Sequence, residues 1–196
     1  MSEQNINTRL LNHIEENLTG DTQKNALNFV QHLISIGMTA KGSINDSKFI
    51  YKGKKVCDTY FGSSSNNPGY PEPWNVWTTD DYDKEIESIP IDSHMKEVAW
   101  ANVHNCDNCG ADWCSPDKRR KIFDRDFDNL CVGVMAFTDP NAEAVECMKE
   151  MLEIRKMGIR RNQNAEQPKN VPQFGCMQGE IWMSDDFDEP LTDFKE

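Results

Sequence analysis

"SKFIYKGKKVCDTYFG" (Ser47–Gly62) decides how the chain is to be read. Two short runs rich in β-branched and aromatic residues, 48–52 and 55–61, flank a glycine-bearing turn at Lys52–Lys55, which is the pattern of a β-hairpin. Upstream the apolar period is helical. Ile6, Leu10, Leu11, Ile14 and Leu18 recur three or four apart and predict an amphipathic helix. "TGD" at 19–21 interrupts it. Asp21 or Thr22 is placed to cap a second helix, with Ala26, Val30, Leu33 and Ile34 along its apolar face. Gly37 suits the left-handed residue that ends it. The two helices are expected to form a hairpin against the main core.

Downstream, "SSSNNPGYPEP" (63–73) has the composition of a loop. "WNVWTT" (74–79) reads as a third strand, with Trp74, Val76 and Thr78 on one side and Asn75 and Trp77 on the other. Two helices followed by three strands predict an α+β fold, a small and mainly antiparallel sheet flanked by helices. Residues 79–90 are acidic and read as a surface connection. Asp92 or Ser93 then caps a third helix, "SHMKEVAWANV", with Met95, Val98, Ala99 and Val103 inward. "SPDKRRKIFDRDFDN" (115–129) reads as a charged loop or short helix anchored by Phe123 and Phe127. "LCVGVMAF" (130–137) predicts a buried strand. Asp139 and Pro140 suit the N-cap and first position of a last helix, lined by Val145, Met148, Met151 and Leu152 and closed by Gly158. The expected organisation is one domain over residues 1–159, beginning with the helical hairpin. A polar linker and an acidic C-terminal tail, with a short strand at Glu180–Met183, follow over 160–196.

The totals narrow the function. Of 196 residues only 37% are hydrophobic, and mean hydropathy is −0.73, but five tryptophans and 9% aromatics argue for a folded interior. A formal charge of −12 repels nucleic acid and anionic membranes, so neither is expected as a partner. Apolar runs are too short to span a bilayer, and the N-terminus lacks the apolar stretch of a secretion signal. A cytoplasmic location is expected. The seven cysteines then read as reduced thiols rather than disulfides.

Their arrangement is the most specific feature of the chain. In "VHNCDNCGADWCSP" (103–116), Cys106, Cys109 and Cys114 are spaced C-x2-C-x4-C. A C-x-x-C-G turn brings two thiolates together, directs backbone N–H groups at their sulfurs, and uses Gly110 to permit positive φ. A tetrahedral zinc needs a fourth ligand. Cys131, in the expected buried strand, is the first choice; His104 and Cys147 are the others. Cys57 and Cys147 read as core residues, and Cys176 in the tail is given no role. The same thiolates suit an iron–sulfur cluster, and Cys106 with Cys109 alone suits a dithiol–disulfide pair.

The stretch "HMKEVAWANVHNCDNCGADWCSPDKRRKIFDRDFDNLC" (94–131) resembles small uncharacterised proteins of anaerobic Gram-positive bacteria. In these a WANV segment and C-x2-C-G lead into C-S-P-G and then I-F-G-x-x-F-D-N-x-C. The likeness runs over about Asp92–Gly158 and, more loosely, takes in "YKGKKVC" (51–57). The resemblance implies that Cys106, Cys109, Cys114 and Cys131 belong together; it implies no activity. Asp117 and Asp124 stand where the pattern carries glycine.

Other features are weaker. Tyr60, Tyr70, Trp74, Trp77 and Tyr82 can line an aromatic pocket for a small ligand or cover one face of the sheet. "KRRK" (118–121) is the one dense basic run, and pairing with Asp124, Asp126 and Asp128 is expected. His94, in the first turn of a helix, reads as structural. Nucleophile-elbow, phosphate-loop, dinucleotide and H-E-x-x-H motifs do not occur. The expectation is a cytoplasmic domain that binds a small ligand or a protein and is stabilised by structural zinc. The alternative is a thiol redox or metal-dependent enzyme using Cys106 and Cys109, and an adaptor working through the acidic tail is a third class.

Overall fold

A computed structural model describes residues 6–62, 73–78, 91–106 and 118–166. The expected loop at 63–72, the acidic connection at 79–90, Tyr70, Tyr82, Cys109, Cys114, Cys176 and the tail strand lie outside them. By contact the chain divides into Met1–Asn162 and Gln163–Glu196. In the second unit the described residues are the helical 163–166.

Helix α1 (Ile6–Asn17) and helix α2 (Gly20–Ser35) pack on each other. They bury Leu10, Ile14, Leu18, Ala26, Phe29, Val30 and Leu33. Helix α2 starts one residue before Asp21, so Thr19 rather than Asp21 or Thr22 is the N-cap. Its end follows from Gly37, whose φ of 87° lets the chain turn back. The Gly37 N–H then reaches Ile34 O and the Met38 N–H reaches Leu33 O, both at 3.0 Å. Met38 packs into the core beside Leu33, completing a Schellman closure.

Strand β1 (Thr39–Gly42) follows directly, and the sequence pattern gave no sign of it. It is an edge strand that buries Ala40 alone, so it has no apolar alternation to read. Its pairing with β2 (Asp46–Tyr51) recruits it. Gly42 is required in the turn between them: its φ is 108°, and a Cβ there would meet the Asp46 carbonyl oxygen at 2.8 Å. The β2–β3 hairpin turns at Lys52 (φ 46°) and Gly53 (φ 81°), and β3 covers Lys54–Phe61. Two consecutive positive φ values are those of the tight turn that matches strand twist. Strand β4 is Trp74–Thr78, as expected.

Helix α3 (Ser93–Ala101) is capped by Asp92, whose carboxylate accepts from the His94 N–H at 2.8 Å. Strands β5 (Val103–Asn105), β6 (Lys118–Ile122) and β7 (Arg125–Thr138) follow. Residues 118–129, expected as loop or short helix, are instead a β-hairpin turning at Phe123 and Asp124. Opposite charges face each other across it. Lys121 is in register with Asp126, and Arg119 pairs with Asp128. Helix α4 (Ala142–Glu166) is capped by Asn141, whose Oδ1 accepts from the Ala144 N–H at 2.9 Å. Asp139 is not the cap. Its N–H bonds to Trp74 O at 2.8 Å, and its carboxylate accepts from the Thr22 hydroxyl at 2.9 Å. Gly158 lies within α4 rather than ending it, and the helix continues through 160–166, where a linker was expected.

The described strands form one antiparallel sheet in the order β1-β2-β3-β4-β7-β5, with β6 also paired to β7. Register places Phe49, Cys57, Thr59, Val76 and Phe137 on one face, with Phe61 and Trp74 among them. Helix α2 covers that face: Phe29 meets Trp74 at 6.0 Å between ring centroids, and Phe61 stacks on Trp74 at 6.1 Å. Each such fully buried side chain contributes about 1.5–3 kcal/mol. The architecture is α+β, as the element order implied.

Candidate functional site

The cysteine-rich stretch emerges from the sheet beside β7. Its first thiol, Cys106, directly follows β5 and is half-buried. The Cys106 N–H bonds to Asn129 O at 2.7 Å, and Asn129 Nδ2 donates to Cys106 O at 3.3 Å. Asn129 holds φ 56°, a left-handed conformation that asparagine tolerates better than most residues. Cys131, also half-buried, lies two residues further along β7. The structure therefore brings the segments carrying Cys106 and Cys131 side by side.

The pairing is irregular here. Val103 is in register with Met135 and Asn105 with Leu130, so two steps along β5 span five along β7. His104 sits opposite this irregular stretch, which includes Cys131. Bulges of this kind are common beside functional sites because they re-aim side chains. On the other edge of β7, Lys118 is also in register with Leu130. The described chain thus leaves at Cys106 and returns at Lys118 on opposite edges of one residue. Among the described residues no group of three or more His, Cys, Asp or Glu is placed to hold a metal. Cys109 and Cys114 are not among them.

Two other thiols belong to the interior. Cys57 is fully buried on β3, and burial pushes its thiol far up. Cys147 is fully buried on α4, its Sγ 3.5 Å from Met95 O. Burial, with the nearby Glu150 and Glu143 carboxylates, pushes its thiol up to about 12. Neither is poised to ionise, which leaves Cys147 poorly suited as a ligand.

The aromatic residues do not share one lining. Trp74 is sealed in the core against α2. Tyr60 and Trp77, in register with Asn75 and Asp58, occupy the opposite face of the sheet. Strand alternation separates Trp74 from Trp77, so a pocket using both is ruled out by geometry. In "KRRK", Arg119 is taken by Asp128, while Asp124 pairs with Lys96 of α3. His94 has a partner the sequence did not show, the carboxylate of Glu143 on α4. Asn129 was also missed as a site residue. The one signal was its residue type, since asparagine tolerates the left-handed backbone held there.

A family model described as a protein of unknown function (DUF2281) matches residues 142–196. The match begins at α4 and leaves out the sheet and the cysteine stretch. No curated protein and no solved structure matches the chain. No helix among the described residues is long and apolar enough to cross a membrane.

Proposed function

We propose that the domain is a binding module whose β5–β6–β7 arm is held by a structural zinc ion on Cys106, Cys109, Cys114 and Cys131. One observation carries this reading. Asn105 and Lys118, which bracket Cys109 and Cys114 in sequence, are both in register with Leu130, on opposite edges of β7. Neighbouring strands lie about 4.8 Å apart, so the two brackets are roughly 10 Å apart. Cys131 is the next residue along the strand between them. Residues 107–117 can reach several times that distance, so Cys109 and Cys114 are tethered within range of Cys131. Sulfurs sharing a zinc stand about 4 Å from one another. The sequence resemblance groups the same four cysteines.

Four protein ligands close a tetrahedral shell and leave no position for water, so such an ion holds structure rather than performing chemistry. The reading also suits the odd thiol count and a reducing compartment. What the module binds is a small molecule or a protein. An enzyme would use the same thiols, and one set of measurements separates the two.

Protein purified without added metal is expected to carry about one equivalent of zinc and no visible absorption band. Cys106→Ser and Cys131→Ser should each lose the metal and melt at lower temperature. Cys57→Ser should melt lower while keeping the metal. Iron-type absorption, or full zinc content in both ligand variants, would defeat the assignment. Disulfide reductase activity lost in Cys106→Ser at unchanged metal content and melting temperature would establish the redox alternative.

A further inference from the structure

Strand β7 bulges against β6 at the residue that grips the first cysteine from the other edge. Toward β6, Lys118 faces Leu130 and Arg120 faces Phe127, so two steps along β6 span three along β7. Asn129, with φ 56°, is the left-handed residue inside that longer span. An extra residue of this kind bends its strand and re-aims the side chains that follow. Toward β5, the described ladder runs one rung past Asn105: the Cys106 N–H donates to Asn129 O at 2.7 Å. The Cys106 carbonyl is then met by the Asn129 side chain, which donates through Nδ2 at 3.3 Å. One residue thus holds both backbone polar groups of Cys106.

Asparagine meets both demands at once. It tolerates the left-handed backbone that most residues resist, and its amide supplies a donor that glycine and aspartate lack. Cys131 follows two residues along the same strand, half-buried like Cys106. The bulge therefore sets where Cys131 leaves β7, while the two hydrogen bonds set Cys106 across from it. A ligand held in place before an ion arrives keeps its ordering cost out of the binding step. Fixing one residue's backbone in this way is equivalent to about a tenfold change in affinity. Residues that orient the ligands of metal sites commonly carry that weight.

We infer that Asn129 is a positioning residue of the metal site, holding Cys106 ready beside Cys131 for the ion. It does not itself ligate the metal. This role rests on the zinc reading and names what keeps two of the ligands in place. Two functions then meet in one residue: the left-handed backbone serves stability, and the side-chain amide serves the metal. Glycine at this position keeps the first and removes the second.

The full chain is stripped of metal under reducing conditions and titrated with zinc against a chromophoric chelator. The parent is also titrated with cobalt, whose thiolate absorption reports sulfur ligation. Asn129→Ala should weaken zinc about tenfold or more. Asn129→Gly should melt close to the parent and still bind zinc about fivefold more weakly, the worth of one hydrogen bond. Asn141→Ala, which removes the α4 cap, should melt lower with zinc affinity unchanged. Circular dichroism checks that each variant is folded. Zinc affinity in Asn129→Gly within about twofold of the parent, or an equal loss in Asn141→Ala, overturns the role of Asn129 and leaves the zinc reading standing. A parent chain that binds neither ion, or binds cobalt without thiolate absorption, overturns the zinc reading and this role with it.

Discussion

The two halves of the sheet are stabilised by different means. Strands β1–β4 are covered by helices and bury a continuous apolar face around Trp74, Phe61 and Phe49. The arm of β5, β6 and the first half of β7 adds fewer side chains to that interior, Ile122, Phe123 and Leu130, with Trp100 of α3 donating to Ile122 O at 2.9 Å. On its exposed side β6 and β7 meet through charges, Arg119 with Asp128 and Lys121 opposite Asp126. Arg125 lies over the rings of Trp100 and Phe127 at 5.6 and 5.3 Å. Exposed ion pairs contribute at most about 1 kcal/mol each, whereas buried side chains contribute two or three times that. A region so built gains most from an added cross-link, and that is where the cysteines lie.

The sharpest way to break this contrast is in the first half. Trp74→Ala should cost about 3–5 kcal/mol in chemical denaturation and leave metal content unchanged in whatever protein remains folded. Trp74→Phe should cost much less, because the indole N–H has no hydrogen-bond partner among the described residues to lose. A smaller effect is expected in the arm from Asn129→Ala, about 1–2 kcal/mol, since alanine resists the left-handed backbone held there. Asn129→Gly should recover most of that loss, and faster exchange of the Cys106 amide in the alanine variant would locate the damage. If Asn129→Ala matched Trp74→Ala in cost, the two halves would not differ as described.

The smallest expected effect is a pH dependence. His32 takes up a proton less readily in the folded protein than in the unfolded chain, chiefly through burial, with Lys149 and Lys156 opposing protonation and Glu153 and Glu146 favouring it. Its contribution to stability is therefore full above the ordinary histidine value near 6.5 and declines as pH falls below it. Comparing His32→Gln with the parent at pH 7.5 and pH 5.5 isolates this, since the surrounding carboxylates titrate in both. The parent should lose more melting temperature on acidification than the variant.

The sequence was most legible where side chains obey one period. The helices α1 and α2, the Lys52–Gly53 hairpin and the strand at 74–78 all follow from apolar spacing and turn chemistry. Reading failed where pairing rather than burial makes the strand. Strand β1 buries a single alanine, and the β6–β7 hairpin is written in charges, so neither offers apolar alternation. The signal for the latter was present in another form, as basic residues at 118–121 mirrored by acids at 124–128 about Phe123. The cap of α4 was misplaced because Asp139–Pro140 satisfies the local rule, yet Asp139 is drawn away by Thr22 and Trp74, contacts distant in sequence. At the site, spacing nominated the cysteines but could not show that Asn129 anchors the first of them. The approach of His32 to Glu153 left no trace, because the two meet only when α2 and α4 do.

Strand β7 has a consequence for how the gene can tolerate change in length. Its first half is joined to β6, its second half to β4, and the irregular stretch between Leu130 and Met135 separates the two. Losing one codon after that stretch would turn Phe137 outward and empty the interior beneath α2. Losing one before it would rotate the hairpin and shift Asn129 and Leu130 off their partners, an effect the slack at 131–134 would absorb only in part. Natural variation in length is therefore expected to avoid Met135–Thr138.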